Sequence, residues 1–176
     1  MTKTQRTAAA KRPAAKKANA NANGGASRPS GDEPNYLRLD DQLCFPIYLA
    51  SRLVVNAYRP LLDQLGLTYP QYLVLLVLWE HDGLSVGALG ERLYLDTGTL
   101  TPLLKRMERQ GLLSRRRRGA DDRVVENWLT EDAKALKKRA AKVPVQLLCN
   151  TKLEMSEVVS IKGAVEGLVK RLLPLQ

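Results

Sequence analysis

The chain has 176 residues, 44% of them apolar, which is enough for one domain with its own core and too few for a second full domain. Lys and Arg number 28 against 18 Asp and Glu, and the formal charge of +10 favours a polyanionic partner such as nucleic acid over acidic small molecules. The longest apolar run, Tyr72 to Trp79, falls short of the roughly 20 residues of a membrane helix, and no apolar stretch follows the basic N-terminus, so a soluble cytoplasmic protein is expected, with no membrane partner.

Residues 1 to 34 combine Ala, Lys, Arg, Asn, Gly and Pro without an aromatic side chain, and are expected to form a disordered tail. Seven basic and two acidic residues give this tail +5, half the total charge, for use either as a solubilising segment or as a weak, sequence-independent DNA contact. The structured domain is expected over 35–176, with a long helix in 35–66, a helix-turn-helix and wing in 67–130, and closing helices in 131–176. From Leu39, apolar residues recur at three- and four-residue steps through Leu43, Ile47, Leu53, Val54, Ala57, Tyr58, Leu61, Leu62 and Leu65. Gly66 is the expected stop. Pro46 is tolerated best in a first turn, which places the start of the regular helix near Cys44 and makes Asp40 to Leu43 a lead-in.

Thr68 and Gln71 form a capping box, with Pro70 in the first turn, for a helix that runs through Trp79 and ends at Gly83. Ser85 caps a shorter helix with Val86, Leu89 and Leu93 on one face. Asp96 to Thr99 break that pattern and start a fourth helix, stopped by Gly111. Leu100, Leu103, Leu104 and Met107 make its buried stripe, while Thr99, Thr101, Lys105, Arg106 and Arg109 lie largely away from it. Pro102 fits if Thr99 is the cap, and otherwise implies a distorted first turn. Beyond Gly111 the period becomes two: Leu113, Arg115 and Arg117 alternate, Val124, Glu126 and Trp128 alternate on the return, and Gly119 to Asp122 supply the turn. Thr130 caps a helix that reaches towards Cys149 with a kink at Pro144, and Ser156 opens a last amphipathic helix carrying Val159, Val165, Leu168, Val169 and Leu172. The expected fold is mainly α with a small β-hairpin wing, a winged helix-turn-helix with flanking helices.

The helix from Thr97 to Gln110 suits a major groove, because Thr97, Thr99 and Thr101 near its start, then Lys105 and Arg106, can meet phosphates or base edges. Its plainer reading is an amphipathic surface helix. Arg115, Arg116, Arg117 and Arg118 crowd four positive charges before a turn, which raises self-repulsion unless an anion binds there. Arg123 follows Asp121 and Asp122, so an Asp can orient its guanidinium while the wing tip enters the minor groove; Arg123 is the foremost candidate for a DNA contact. Cys44 and Cys149 lie 105 positions apart with no CxxC, and the single histidine is His81, so no metal is expected. In a reducing compartment the two are either inert core thiols or a redox pair.

Asp121-Asp122-Arg123, five further residues, then Leu129-Thr130 resembles the wing signature of the MarR family of regulators. Leu67 to Glu80 and Leu95 to Met107 resemble its organic hydroperoxide-sensing branch, OhrR, and the likeness runs from about Leu37 to the C-terminus. The resemblance implies a homodimer on double-stranded operator DNA, with 35–66 and 131–176 as dimerisation regions whose helices interlock. In that branch a cysteine near the start of the first long helix reacts with peroxide and tyrosines of the partner subunit hold it; the matching positions are Cys44, Tyr58 and Tyr69, with Tyr48 a further neighbour. Cys149 resembles the resolving cysteine of two-cysteine members. The resemblance further implies a repressor, not an enzyme and without a cofactor. An organic hydroperoxide would oxidise Cys44 to a sulfenic acid, which then condenses with Cys149 of the partner subunit and releases the DNA. The alternative is a repressor released by a small phenolic or acidic ligand, with the thiols as bystanders. A thiol peroxidase has no use for the arginine-rich hairpin, and an architectural chromatin protein leaves Tyr58, Tyr69 and both cysteines without a task.

Overall fold

The computed structural model describes residues 37–118 and 121–175, so the expected tail, 1–34, lies outside the described residues. The chain divides into a unit ending at Asp41, whose described part is a short 3-10 turn at Leu39–Asp41, and a unit from Gln42 to Gln176. Among the described residues the larger unit holds α1 (Cys44–Asp63), α2 (Tyr69–Glu80), β1 (Leu84–Ser85), α3 (Val86–Leu93) and α4 (Thr97–Arg109). These are followed by β2 (Leu113–Arg118), β3 (Asp121–Leu129), α5 (Glu131–Ala140), α6 (Val143–Thr151) and α7 (Met155–Leu172).

The local chemistry accounts for most boundaries. The Thr68 N–H donates to Gln71 Oε1 at 2.9 Å at the start of α2, and Ser85 Oγ accepts from the Ala88 N–H at 3.1 Å at the start of α3. α2 is apolar on nearly every side and becomes the central helix, with Tyr72, Val74, Leu75, Val77 and Leu78 buried. Around it the core gathers Leu62, Leu89, Leu100, Leu104, Met107 and Leu113. Gln71 is also buried, and its Nε2 donates to Gln110 Oε1 at 2.6 Å, which ties the start of α2 to the end of α4.

Four expectations need correction, and one open choice is decided. The wing is not a two-stranded hairpin alone, since β1 adds a third strand in the antiparallel order β1-β3-β2. Asp121 and Asp122 open β3 instead of forming the turn, and Gly119 and Ala120 lie outside the described residues. The cap of α4, which the sequence left open, is Asp96, so Pro102 sits past the first turn and removes the bond that would run to the Gly98 carbonyl. Pro144 does not kink one long helix: the chain breaks at Ala141 and Lys142, and Pro144 stands in the first turn of a new helix, where its missing N–H costs nothing. Glu154, not Ser156, caps α7, with its N–H donating to Glu157 Oε2 at 2.8 Å.

The outer helices pack poorly within the chain. In α1 only Leu61 and Leu62, at its end, are buried, and α7 buries no residue. Leu53 is 57% exposed and Val159 64%, and Ile47, Val54, Ile161, Val165 and Val169 are exposed too. A monomer seldom leaves so much apolar surface in water.

Candidate nucleic-acid interface and thiol site

The turn between α3 and α4 is short, and two residues shape it. Gly90 has no room for a side chain, because a Cβ there would stand 2.7 Å from the Leu95 carbonyl oxygen. Tyr94 takes a left-handed φ of 53° and leaves its ring 69% exposed. Asp96 then accepts from Thr99 twice, Oδ2 from the hydroxyl at 2.7 Å and Oδ1 from the backbone N–H at 2.8 Å. Those bonds hold the Asp96 carboxyl below its ordinary value.

The sequence-expected DNA contacts fall into three groups. Thr97, Thr99, Lys105 and Arg106 are exposed on α4 and Thr101 is half-buried, so α4 presents one polar side. Thr99 has given its hydroxyl proton to the cap and can only accept from a ligand. Arg117 is exposed on β2, and Arg116 is exposed with its Nε donating to Ser114 Oγ at 3.2 Å. The side chains of Arg118, Asp121 and Arg123 lie outside the described residues.

Arg115 forms the third group, because its side chain turns inward and is only 14% exposed. Its N–H donates to Glu108 Oε1 at 3.3 Å, and its Nη1 lies 3.8 Å from Glu108 Oε2. Across the sheet Arg115 pairs with Asn127, which is fully buried and donates through Nδ2 to the Leu84 carbonyl at 2.9 Å. Glu108 and Asn127 were not among the sequence candidates. A Glu in the last turn of a basic helix, seven residues before an arginine strand, is the signal that could have found the first.

Cys44 and Cys149 are both exposed thiols within the chain. Cys44 is the first residue of α1, and its Sγ lies 3.7 Å from Gln42 Oε1. Tyr58 and Tyr69 come together with ring centroids 5.0 Å apart, and Tyr72 joins at 5.9 Å from Tyr58. Burial raises all three phenols above the ordinary value, helped at Tyr58 and Tyr72 by neighbouring phenols, so each keeps its proton and remains a donor. Tyr48 stands apart from them, accepting from Arg52 Nη1 at 3.1 Å.

Within one chain these parts do not meet. Fourteen residues of helical rise put Cys44 about 21 Å from Tyr58 along α1. Cys149 lies on α6, about 9 Å along that helix from Val143, which lines one cavity together with Leu61 and Leu65 from the far end of α1.

Other features add little chemistry. Among the described residues no group of three or more His, Cys, Asp or Glu could hold a metal ion, and no helix is long and apolar enough to cross a membrane. A cavity of ≈ 430 Å³ lies between α1 and α6, lined by Leu61, Gln64, Lys138, Arg139, Lys142 and Gln146.

Residues 67–125 match the MarR family. The chain is 48% identical over 138 residues to the organic hydroperoxide resistance transcriptional regulator of Bacillus subtilis (strain 168), an alignment that covers 78% of this chain and 94% of that one. The structure of reduced AbfR bound to DNA, a protein of Staphylococcus epidermidis, superposes with a TM-score of 0.65 at 35% identity, covering 77% of this chain and 95% of that one. Disulfide-formed AbfR superposes with a TM-score of 0.58 at 36% identity, covering 78% and 92%.

Proposed function

The chain belongs to the MarR family, and from that membership we propose that it is a homodimeric transcriptional repressor whose grip on operator DNA is released when an organic hydroperoxide oxidises Cys44. The observation that carries this reading is Cys44 itself, an exposed thiol at the first position of a 20-residue helix. The relatives point the same way, since one is a regulator of organic hydroperoxide resistance and AbfR occurs both reduced on DNA and in a disulfide form.

In the reduced dimer two copies of α4 enter successive major grooves about 34 Å apart, with the wings alongside. Thr97, Thr99, Thr101, Lys105 and Arg106 contact the groove, and Arg117, Arg118 and Arg123, oriented by Asp121, serve the flanking backbone and minor groove. The apolar faces of α1 and α7 supply the dimer interface, which also brings the partner's Tyr58, Tyr69 and Tyr48 to Cys44. Phenol protons directed at sulfur favour the thiolate.

The thiolate attacks the distal oxygen of the hydroperoxide, forming an S–O bond as the O–O bond breaks. The alcohol leaves with a proton, and the sulfur is oxidised by two electrons to sulfenic acid. Cys149 of the partner subunit then attacks that sulfur, and the hydroxyl departs as water once protonated. If the two alpha carbons start farther apart than the roughly 7 Å a disulfide allows, forming the new bond moves the helices and carries the two α4 reading heads out of register. Cellular thiols reverse the step.

The test uses a high-affinity duplex selected by the wild-type protein from a random-sequence pool. Cys44→Ser should bind it as wild type does and ignore cumene hydroperoxide, whereas Cys149→Ser should respond incompletely and form no disulfide-linked dimer on a non-reducing gel. Normal release of Cys44→Ser by hydroperoxide sinks the proposal. A second reading, release by a small organic acid, draws on the cavity beside Lys138, Arg139 and Lys142. Release of Cys44→Ser by an aromatic acid supports it.

A further inference from the structure

Resting on the DNA-binding reading above, we propose that Arg115 is not a DNA contact but a positioning residue, which with Glu108 and Asn127 fixes the wing against the recognition helix α4.

Four segments meet at these side chains. Glu108 lies in the last turn of α4 and accepts from the Arg115 N–H, with the Arg115 guanidinium facing its other oxygen. Arg115 stands in β2 opposite Asn127 of β3, and Asn127 reaches on to the Leu84 carbonyl in β1, which runs directly into α3. The path α4, β2, β3, β1, α3 therefore closes a ring around the helix-turn-helix, and Arg115 supplies the positive charge that faces the Glu108 carboxylate from the strand side.

The geometry also argues against a purely stabilising role. Among the described residues, Arg115 Nε and Asn127 Oδ1 are buried and lack hydrogen-bond partners. A donor and an acceptor left unsatisfied on directly opposed strand residues are costly, and an apolar cross-strand pair would fit the same place without that cost. What the polar trio adds is direction: a carboxylate that accepts from the Arg115 backbone N–H and faces its planar guanidinium, Nη1 at 3.8 Å, ties the strand to one place on the helix, which an oily contact does not. The Arg115 charge is also neutralised beside Glu108, whereas Arg117, two residues on along β2, is exposed. Of the four consecutive arginines, the first faces protein, while the exposed Arg116 and Arg117 remain for phosphate.

The experiment titrates full-length protein with the selected duplex and with a mixed-sequence duplex over a range of salt concentrations. Removing a phosphate-contacting arginine should weaken both duplexes alike and reduce the salt slope by about one, the result expected for Arg117→Ala. For Arg115→Ala we expect at least a tenfold loss on the selected duplex, little change on the mixed one, and an unaltered slope. Arg115→Lys should behave like the alanine variant, because a point charge keeps phosphate attraction but loses the fork. Glu108→Gln preserves shape and removes a negative charge, so direct electrostatics would tighten DNA binding; a positioning role for Arg115 requires the opposite, a loss confined to the selected duplex. A reduced slope in Arg115→Ala, full affinity in Arg115→Lys, or undiminished binding by Glu108→Gln overturns the positioning role. If wild-type protein binds neither duplex, the DNA-binding reading itself falls and takes the positioning role with it.

Discussion

Replacing Gly90 with alanine should destabilise the protein, against the ordinary rule for helices. In an exposed helix interior, glycine to alanine stabilises by about 1 kcal/mol. At Gly90 the new methyl group would stand 2.7 Å from the Leu95 carbonyl oxygen and 3.5 Å from Leu100 Cδ1. The oxygen is backbone and has little freedom, because the Leu95 N–H already donates to the Gly90 carbonyl at 3.1 Å and the next residue caps α4. Relief therefore requires α4 to shift against α3. Overpacking of this kind costs about 1 to 3 kcal/mol before the relief is complete, which exceeds the helical gain. A net loss of about 1 kcal/mol lowers the melting midpoint of a domain this size by about 3 to 6 °C. Thermal unfolding should be followed by circular dichroism at matched protein concentration, since a dimer melts in a concentration-dependent way. Binding of the selected duplex should weaken in parallel. A variant that melts at or above the wild-type temperature and keeps its DNA affinity would refute the reasoning.

Three other perturbations test separate parts of the molecule. The Asp96 carboxyl has its folded-state value lowered below the ordinary 3.8, first by the Thr99 hydroxyl and then by the Thr99 N–H, so its contribution is complete above that value and fades as the pH falls through the lower one. The stabilities of wild type and Asp96→Asn should draw together as the pH falls below 3.8, and a constant gap across the acid range would contradict the cap. Val165→Glu places a charge on the exposed apolar side of α7 and should convert dimers to monomers by analytical ultracentrifugation; an unchanged sedimentation coefficient would remove α7 from the interface. Tyr58→Phe should slow sulfenic acid formation at Cys44 several-fold, read by mass spectrometry after brief hydroperoxide exposure, while DNA binding by the reduced protein stays as it was.

Local rules accounted for much of the architecture. The Thr68 and Gln71 pair, Ser85 and Thr130 act through neighbours three residues away, and each sits where its short-range pattern placed it. Elements that depend on distant partners were harder to read. β1 is two residues long, too short to display any periodicity, and exists because Leu84 and Ser85 lie against Asn127 and Glu126 more than forty positions away. The division between α5 and α6 was hidden because Pro144 is compatible with either a kink or a first turn, and only the packing of Val143 against the core decides. Arg115 was read with its three neighbours as one cluster of charge, since strand alternation assigns sides but not which side faces Glu108. For the thiol site, the resemblance named Cys44, Tyr58 and Tyr69, while the separation of Cys44 from Tyr58 along α1 needed the helix itself.

That separation has a consequence for dosage. On the dimeric reading, a lone chain carries its thiol about 21 Å along α1 from Tyr58, a phenol that would tune it from the partner subunit, so a newly made subunit is chemically blunt and acquires its full sensitivity only at assembly. Abundance then becomes an input alongside oxidant. Dilution below the dimer dissociation constant should slow the reaction of Cys44 with hydroperoxide as well as vacate the operator, which gives a scarce regulator two reasons to be silent and a plentiful one a sharp threshold for waking.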